Sequence, residues 1–209
     1  MRAETFFSPD EMAQIADVTA KVEKKTSGEV AVMVVARSES YPEAGILGGI
    51  LIGSLLALIF TDLFFHDSLW VFVPAAAGAA VLLGWAMGYF PALKRLFVTK
   101  TRLEEQVRQR AERAFYEKGL YKTRDETGIL FFISLFEHKV WVLADRGIYA
   151  KIAPEELQRY ARDVARGVKQ GNAAEILCDA IENMGKILAE HFPLRPDDTN
   201  EFSDDIILE

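Results

Sequence analysis

The segment AGILGGILIGSLLALIFT occupies residues 44–61. After DLFFHD comes SLWVFVPAAAGAAVLLGWAMGYFPAL, residues 68–93. Neither run contains Asp, Glu, Lys, Arg or His. A hydrocarbon core about 30 Å thick is crossed by roughly 17 to 25 apolar residues as a helix, a length both runs reach. The connection between them is too short for a domain, so the two helices read as a hairpin. Gly45, Gly48, Gly49, Gly53 and the run Ala75–Ala80 suit close helix contact in lipid. Trp70, Trp85, Tyr89 and Phe90 lie towards the ends of the second run, where amphipathic rings favour the interface. Pro74 and Pro91 are expected near helix ends, where proline is best tolerated. Two buried helices of a soluble core are the competing reading, but such helices rarely stay uncharged for so long.

The flanks set an expected orientation. The turn between the helices carries Asp62, His66 and Asp67 and no Lys or Arg, while Lys94, Arg95, Lys100 and Arg102 follow the second helix and Arg37 precedes the first. The positive-inside bias then puts both flanks in the cytoplasm of an inner-membrane protein with two transmembrane helices. The opening MRAETFFSPDEM has no apolar signal core, so both termini are expected to be cytoplasmic. The partner implied by the hairpin is the lipid bilayer.

Outside the hairpin, the rest reads as one domain in two parts, residues 1–43 and 94–193, with an acidic tail at 194–209. The chain is 50% hydrophobic with a net charge of −7. That balance disfavours a nucleic-acid partner, because phosphate contacts need clustered positive charge. The single cysteine, Cys178, falls at an apolar helical position and reads as core. His66, His138 and His191 have no metal-ligand spacing.

Ser8-Pro9-Asp10-Glu11 opens a helix, with Ser8 as cap, Pro9 at the first position and Glu11 completing a capping box. Met12, Ile15, Thr19 and Val22 continue it, and Thr26-Ser27-Gly28 stops it. EVAVMVVAR, residues 29–37, reads as a strand buried on both faces. After the hairpin, residues 101–118 form a charged helix with Leu103, Val107, Ala111, Ala114 and Phe115 on one face and Gly119 at its end. Its Arg108, Arg110 and Arg113 read as a solvated face, or as contacts to anionic lipid headgroups. GILFFISLF (128–136) and KVWVL (139–143) form an antiparallel pair, joined by a tight turn at Glu137-His138. Pro154 opens a helix with Leu157, Tyr160, Ala161, Val164 and Val168 inward, ended by Gly171. Asn172 and Glu175 suggest another capping box, before a helix through Ile176, Leu177, Ala180, Ile181, Met184, Ile187 and Leu188. In the tail, Phe202, Ile206 and Ile207 are positioned to dock back. The first strand precedes the hairpin and the others follow it, so they must pair across the insertion. The fold class is α/β: a three-layer α/β/α sandwich with an inserted two-helix hairpin.

Arg124-Asp125-Glu126-Thr127-Gly128 with the strand after it, and Lys139–Leu143 with Ala144-Asp145-Arg146-Gly147-Ile148, resemble the two core strands of the TPM domain family. Ser8–Val35 is similar to the family's opening. His191-Phe192-Pro193 with Asn200-Glu201-Phe202 resembles the ending of a bacterial subgroup. The resemblance implies a compact α/β/α sandwich. It also implies three roles described for members: acid phosphatase, binder of divalent cations through acidic loops, and accessory factor for membrane complexes. Many members carry a signal peptide, and here a hairpin stands instead.

Asp125 precedes one strand and Asp145 follows its antiparallel neighbour, so the two carboxylates are expected side by side at one sheet edge. Such carboxylates can bind a hard cation through oxygen. Asp125, Glu126 and Asp145 are therefore the candidate ligands for calcium or magnesium, with Arg124 and Arg146 as anion contacts. The alternative is that both aspartates shape turns through local backbone hydrogen bonds. There is no Gly-rich phosphate loop, Cys-x5-Arg or strand-end Asp-x-Asp. The favoured expectation is an interaction or assembly module for another membrane protein. The alternative is a metal-dependent phosphoester hydrolase.

Overall fold

The computed structural model describes residues 2–66, 68–195 and 202–209. Asp67 of the interhelical turn and Asn200-Glu201 of the closing motif lie outside the described residues. In chain order the main elements are α1 (Pro9–Glu23), β1 (Glu29–Val35), α2 (Pro42–Phe65), α3 (Leu69–Ala86), α4 (Pro91–Leu96) and α5 (Lys100–Glu117). These are followed by β2 (Gly128–Ser134), β3 (Lys139–Ala144), α6 (Arg146–Tyr149), α7 (Pro154–Gln170), α8 (Ala173–His191) and β4 (Ile207–Leu208). The chain divides into two compact units, Met1–Ser38 with Glu104–Glu209, and Glu39–Leu103.

In the first unit, α1 begins as its sequence dictates. Glu11 N–H donates to Ser8 Oγ at 3.2 Å and Ser8 N–H donates to the Glu11 carboxylate at 2.7 Å. The sheet order is β3-β2-β1-β4. β1 and β2 pair in parallel from Glu29↔Gly128 to Val35↔Ser134, across the insertion. β2 and β3 pair antiparallel from Ile129↔Ala144 to Ser134↔Lys139. Every residue of β1 and β2 is buried, because helices cover both faces. On one face α1, α7 and α8 bring Ile15, Leu157, Leu177 and Ile181 against Val32 and Phe131. On the other, Val107, Ala111, Ala114 and Phe115 of α5 pack on Met33, Leu130 and Phe132. This is the three-layer α/β/α sandwich.

Two local readings need correction, and a third is borne out and extended. β2 ends at Ser134, and the turn is four residues long, Leu135–His138. Glu137, fully buried, accepts hydrogen bonds from Ser38 N–H at 2.9 Å and from the Ser134 hydroxyl, which pins the chain into a wider turn. Leu135 and Phe136 still donate to the carbonyls of Val35 and Ala36 at 3.1 Å, so the parallel ladder outlasts the antiparallel one. Asn172 caps no amide with its side chain. It follows Gly171 at φ +81° and takes φ −120°, ψ 39°, outside the extended backbone that lets a cap side chain reach forward. Finally, the tail supplies a fourth strand, β4, in parallel register Met33↔Ile207 and Val34↔Leu208.

The second unit is the hairpin. α2 buries Gly45, Gly49 and Gly53. A Cβ at Gly49 would lie 2.5 Å from Ala80 O and 2.7 Å from Gly84 Cα, and one at Gly53 would lie 2.6 Å from Ala80 N. The two helices therefore meet backbone to backbone, as small residues permit. The second apolar run is not one helix to Leu93. Pro91 forces Phe90 to φ −120°, ψ 80°, so the run closes with a 3-10 turn at Met87–Tyr89 before α4. Pro74 lies in the interior of α3 rather than near its end. Near the base, Arg102 Nε lies 3.5 Å from Glu43 Oε1, and Lys94 Nζ donates to the Ser40 carbonyl.

Candidate functional site

The parallel and antiparallel ladders bring the start of β2 and the end of β3 to one end of the sheet. Asp145 N–H donates to Gly128 O at 2.8 Å. The preceding loop is held by Thr123, whose carbonyl accepts from Glu126 N–H at 3.1 Å and whose hydroxyl accepts from Thr127 N–H at 2.9 Å. Glu126 takes φ +55° to make that turn. Gly147 N–H donates to Glu126 O at 3.0 Å. A Cβ at Gly147 would lie 2.6 Å from Asp125 O and 2.7 Å from Glu126 O, so only glycine admits this approach.

The three candidate carboxylates have separate engagements. Asp125 pairs with Arg195 at 3.0 Å. Asp145 caps the single turn of α6, its Oδ1 accepting from Arg146 N–H at 2.7 Å, while its Oδ2 is buried with no hydrogen-bond partner. The Glu126 side chain is exposed, and what this residue brings to the loop is its backbone carbonyl. Arg124 and Arg146 are exposed. Among the described residues, no three Asp, Glu, His or Cys side chains gather as a metal-holding group. Asp145 Oδ2 is thus a buried oxygen without a hydrogen-bond partner, and the Asp125 and Glu126 carbonyls lie against Gly147.

A second carboxylate group had no signal in the sequence. Glu23, at the end of α1, accepts from Val30 N–H at 2.9 Å. Burial first, then hydrogen bonding with Asp204 and the nearby charge of Glu29, push its carboxyl up to about 9. The tail places Asp204 there by docking beside β1, a contact no spacing in the chain foretells. At the far end of the tail, the Glu209 carboxylate meets Lys118 Nζ at 2.7 Å and also Arg110. The Lys118 hydrogen bond is the main cause holding Glu209 below the usual carboxylate range. Cys178 is buried, its thiol pushed up to about 11 by burial, which suits a core residue and not a nucleophile.

Residues 94–187 match the family model described as the TPM domain, a match that begins after α3 and leaves β1 outside it. No curated protein matches the chain. Among solved structures, it is similar to the NMR structure of BA42 protein from the psychrophilic bacteria Bizionia argentinensis sp. nov.. The identity is 20% and the TM-score 0.61, over 98% of this chain and 96% of that one. At that identity the likeness is one of fold. The family match thus covers residues 94–187, and the likeness of fold extends over the whole chain.

Proposed function

We propose that this TPM domain is held at a bacterial inner membrane by its inserted hairpin and serves there as an interaction or assembly module for another membrane protein. The observation that carries the reading is the hairpin's outer surface. α2 and the α3 run to Tyr89 are 24 and 21 residues long and apolar enough to cross a bilayer. α3 has no buried residue, Trp70 is 92% exposed and Leu63 68% exposed. A contiguous apolar surface of this extent marks contact with lipid or protein. The Lys and Arg residues flanking the hairpin favour cytoplasmic termini. On this reading, a reporter fused after Glu209 reads as cytoplasmic and one inserted at Phe65 as periplasmic. The reverse pattern overturns the orientation. Cross-linking in intact membranes should recover one defined membrane protein, and recovery of none overturns the module reading.

A second reading, metal-dependent phosphoester hydrolysis, draws support from the orphaned Asp145 Oδ2. When bound, calcium or magnesium would supply Lewis-acid and templating chemistry, with Asp145 and the Asp125 and Glu126 carbonyls as its oxygen ligands. Asp125 is engaged by Arg195, which competes with a metal for its carboxylate. Magnesium-dependent hydrolysis of p-nitrophenyl phosphate that is lost in Asp145→Asn would establish this reading over the first.

A further inference from the structure

β1 is buried at all seven residues, and among the described residues its outer edge pairs with the tail strand β4. β4 pairs at two positions, Met33↔Ile207 and Val34↔Leu208, and the ladder closes with Glu209 N–H to Val34 O at 3.0 Å and Ala36 N–H to Glu209 O at 2.8 Å. The tail's side chains alternate across the sheet. Ile206 and Leu208 pack on the core under α1 and α8, and Phe202 and Ile207 on the core under α5. Its last residue sets a carboxylate between Arg110 and Lys118. This combination of main-chain pairing, alternate apolar contacts and one charge contact is how extended peptides are recognised at a sheet edge.

The tail is an imperfect occupant of that edge. Its two strand residues remain half-buried. Docking also brings Asp204 to Glu23, which already feels the charge of Glu29, so the tail adds a further carboxylate there. Burial is the first cause that holds a proton on Glu23 and Asp204 the second, and holding that proton costs free energy at neutral pH. A segment without an acid at that place would fit better.

We infer that the β1 edge from Met33 to Ala36 is the peptide-binding surface of the module, that residues 202–209 are its displaceable cis occupant, and that the partner is an extended segment of another protein with apolar residues at the places of 206–208, a carboxylate between Arg110 and Lys118, and no acid at the place of Asp204. This rests on the interaction-module reading above. Release of the tail would bare a strand edge that readily pairs with another chain, so tail and partner compete for one site.

The test uses the full chain in detergent micelles and three fluorescein-labelled peptides: FSDDIILE, FSNDIILE and FSNDIILK. Glu209→Lys replaces the tail's attraction to Arg110 and Lys118 with repulsion and opens the edge. FSNDIILE should bind Glu209→Lys about tenfold or more tighter than wild type, and tighter than FSDDIILE. FSNDIILK should not bind, and adding Arg110→Ala to Glu209→Lys should weaken FSNDIILE. If Glu209→Lys loses its native circular dichroism, Glu209→Gln makes the same comparison with a milder loss. Absence of binding to the opened chain overturns the inference, as does equal affinity for the opened and wild-type chains, or indifference to Glu against Lys at the last place. Tail exchange between two copies, seen as a wild-type dimer that Glu209→Lys dissolves, also overturns it. A chain that binds no peptide yet still cross-links to a membrane protein sinks the edge alone, and one that cross-links to nothing sinks the module reading.

Discussion

At the scale of single residues, two carboxylates of the first unit stand out for their surroundings. Asp145 combines a satisfied Oδ1 with a buried, unpartnered Oδ2, an arrangement that a cation would relieve and that water-facing turn residues do not need. If calcium or magnesium binds there, millimolar metal raises the melting temperature, since a ligand at about 100 times its dissociation constant adds roughly 2.7 kcal/mol. Asp145→Asn tests this well because Asn caps helices about as well as Asp, so the variant removes the charge and keeps the cap. The expected result is a metal-dependent shift in wild type and none in Asp145→Asn; no shift in wild type leaves Asp145 as a cap alone. Glu23 gives a pH dependence with a definite sign. Its carboxyl is raised from 4.5 to about 9, by burial first and Asp204 second. The folded chain therefore keeps a proton that the unfolded chain releases, so the contribution is full below 4.5 and is lost as pH rises through about 9. Melting temperature should fall steadily between about pH 6 and pH 9, and Glu23→Gln, which keeps an acceptor for Val30 N–H, should flatten that slope; a flat wild-type profile would contradict the assignment.

At the scale of elements, what the sequence made legible is what short-range chemistry encodes. The Ser8–Glu11 box, the glycine stops at Gly119 and Gly171, and the apolar stripe of α5 each depend on neighbours within a turn or two, and each formed where the pattern put it. The approach of the segment before β2 to the turn after β3 was readable from the antiparallel pairing, but the capture of Asp125 by Arg195 was not, because Arg195 arrives from after α8. β4 was hidden for the same reason: two residues carry no periodicity, and its partner lies far back in the chain. Asn172 shows the opposite error, a correct motif overruled by the tight Gly171 turn. The hairpin's glycines allow a sharp element-level prediction. Gly49→Leu must push Ala80 and Gly84 apart, since even a Cβ would sit 2.5 Å from a carbonyl oxygen, whereas a Cβ at Gly78 meets nothing within 4 Å. Gly49→Leu should lower the thermal stability of the chain in micelles. Gly78→Ala should leave it unchanged or raise it slightly, since alanine is the better helix former by about 1 kcal/mol. Equal behaviour of the two variants would mean the close helix contact is not made.

At the scale of the whole molecule, the first unit has its own sheet and two cores, although the chain leaves it at Ser38 and returns at Glu104. The seven paired positions of β1 and β2 join segments from either side of the hairpin, and they are buried under the first unit's own helices. The parallel pairing thus requires that the two segments meet, not that the membrane helices lie between them. Loop closure depends only weakly on length, each doubling costing about 0.6 kcal/mol, so a short linker should serve in place of the insertion. Replacing Glu39–Thr99 with a flexible Gly/Ser linker keeps α5 whole from Lys100 and should give a monomeric domain in the soluble fraction, with mixed α/β circular dichroism and a cooperative thermal transition. The full chain should remain with the membrane pellet after carbonate washing. A deletion product that is unfolded under native conditions would show that the hairpin is part of the domain's folding unit rather than an insertion into it. A full chain released by carbonate would show that the exposed apolar faces of α2 and α3 are covered by protein instead of lipid.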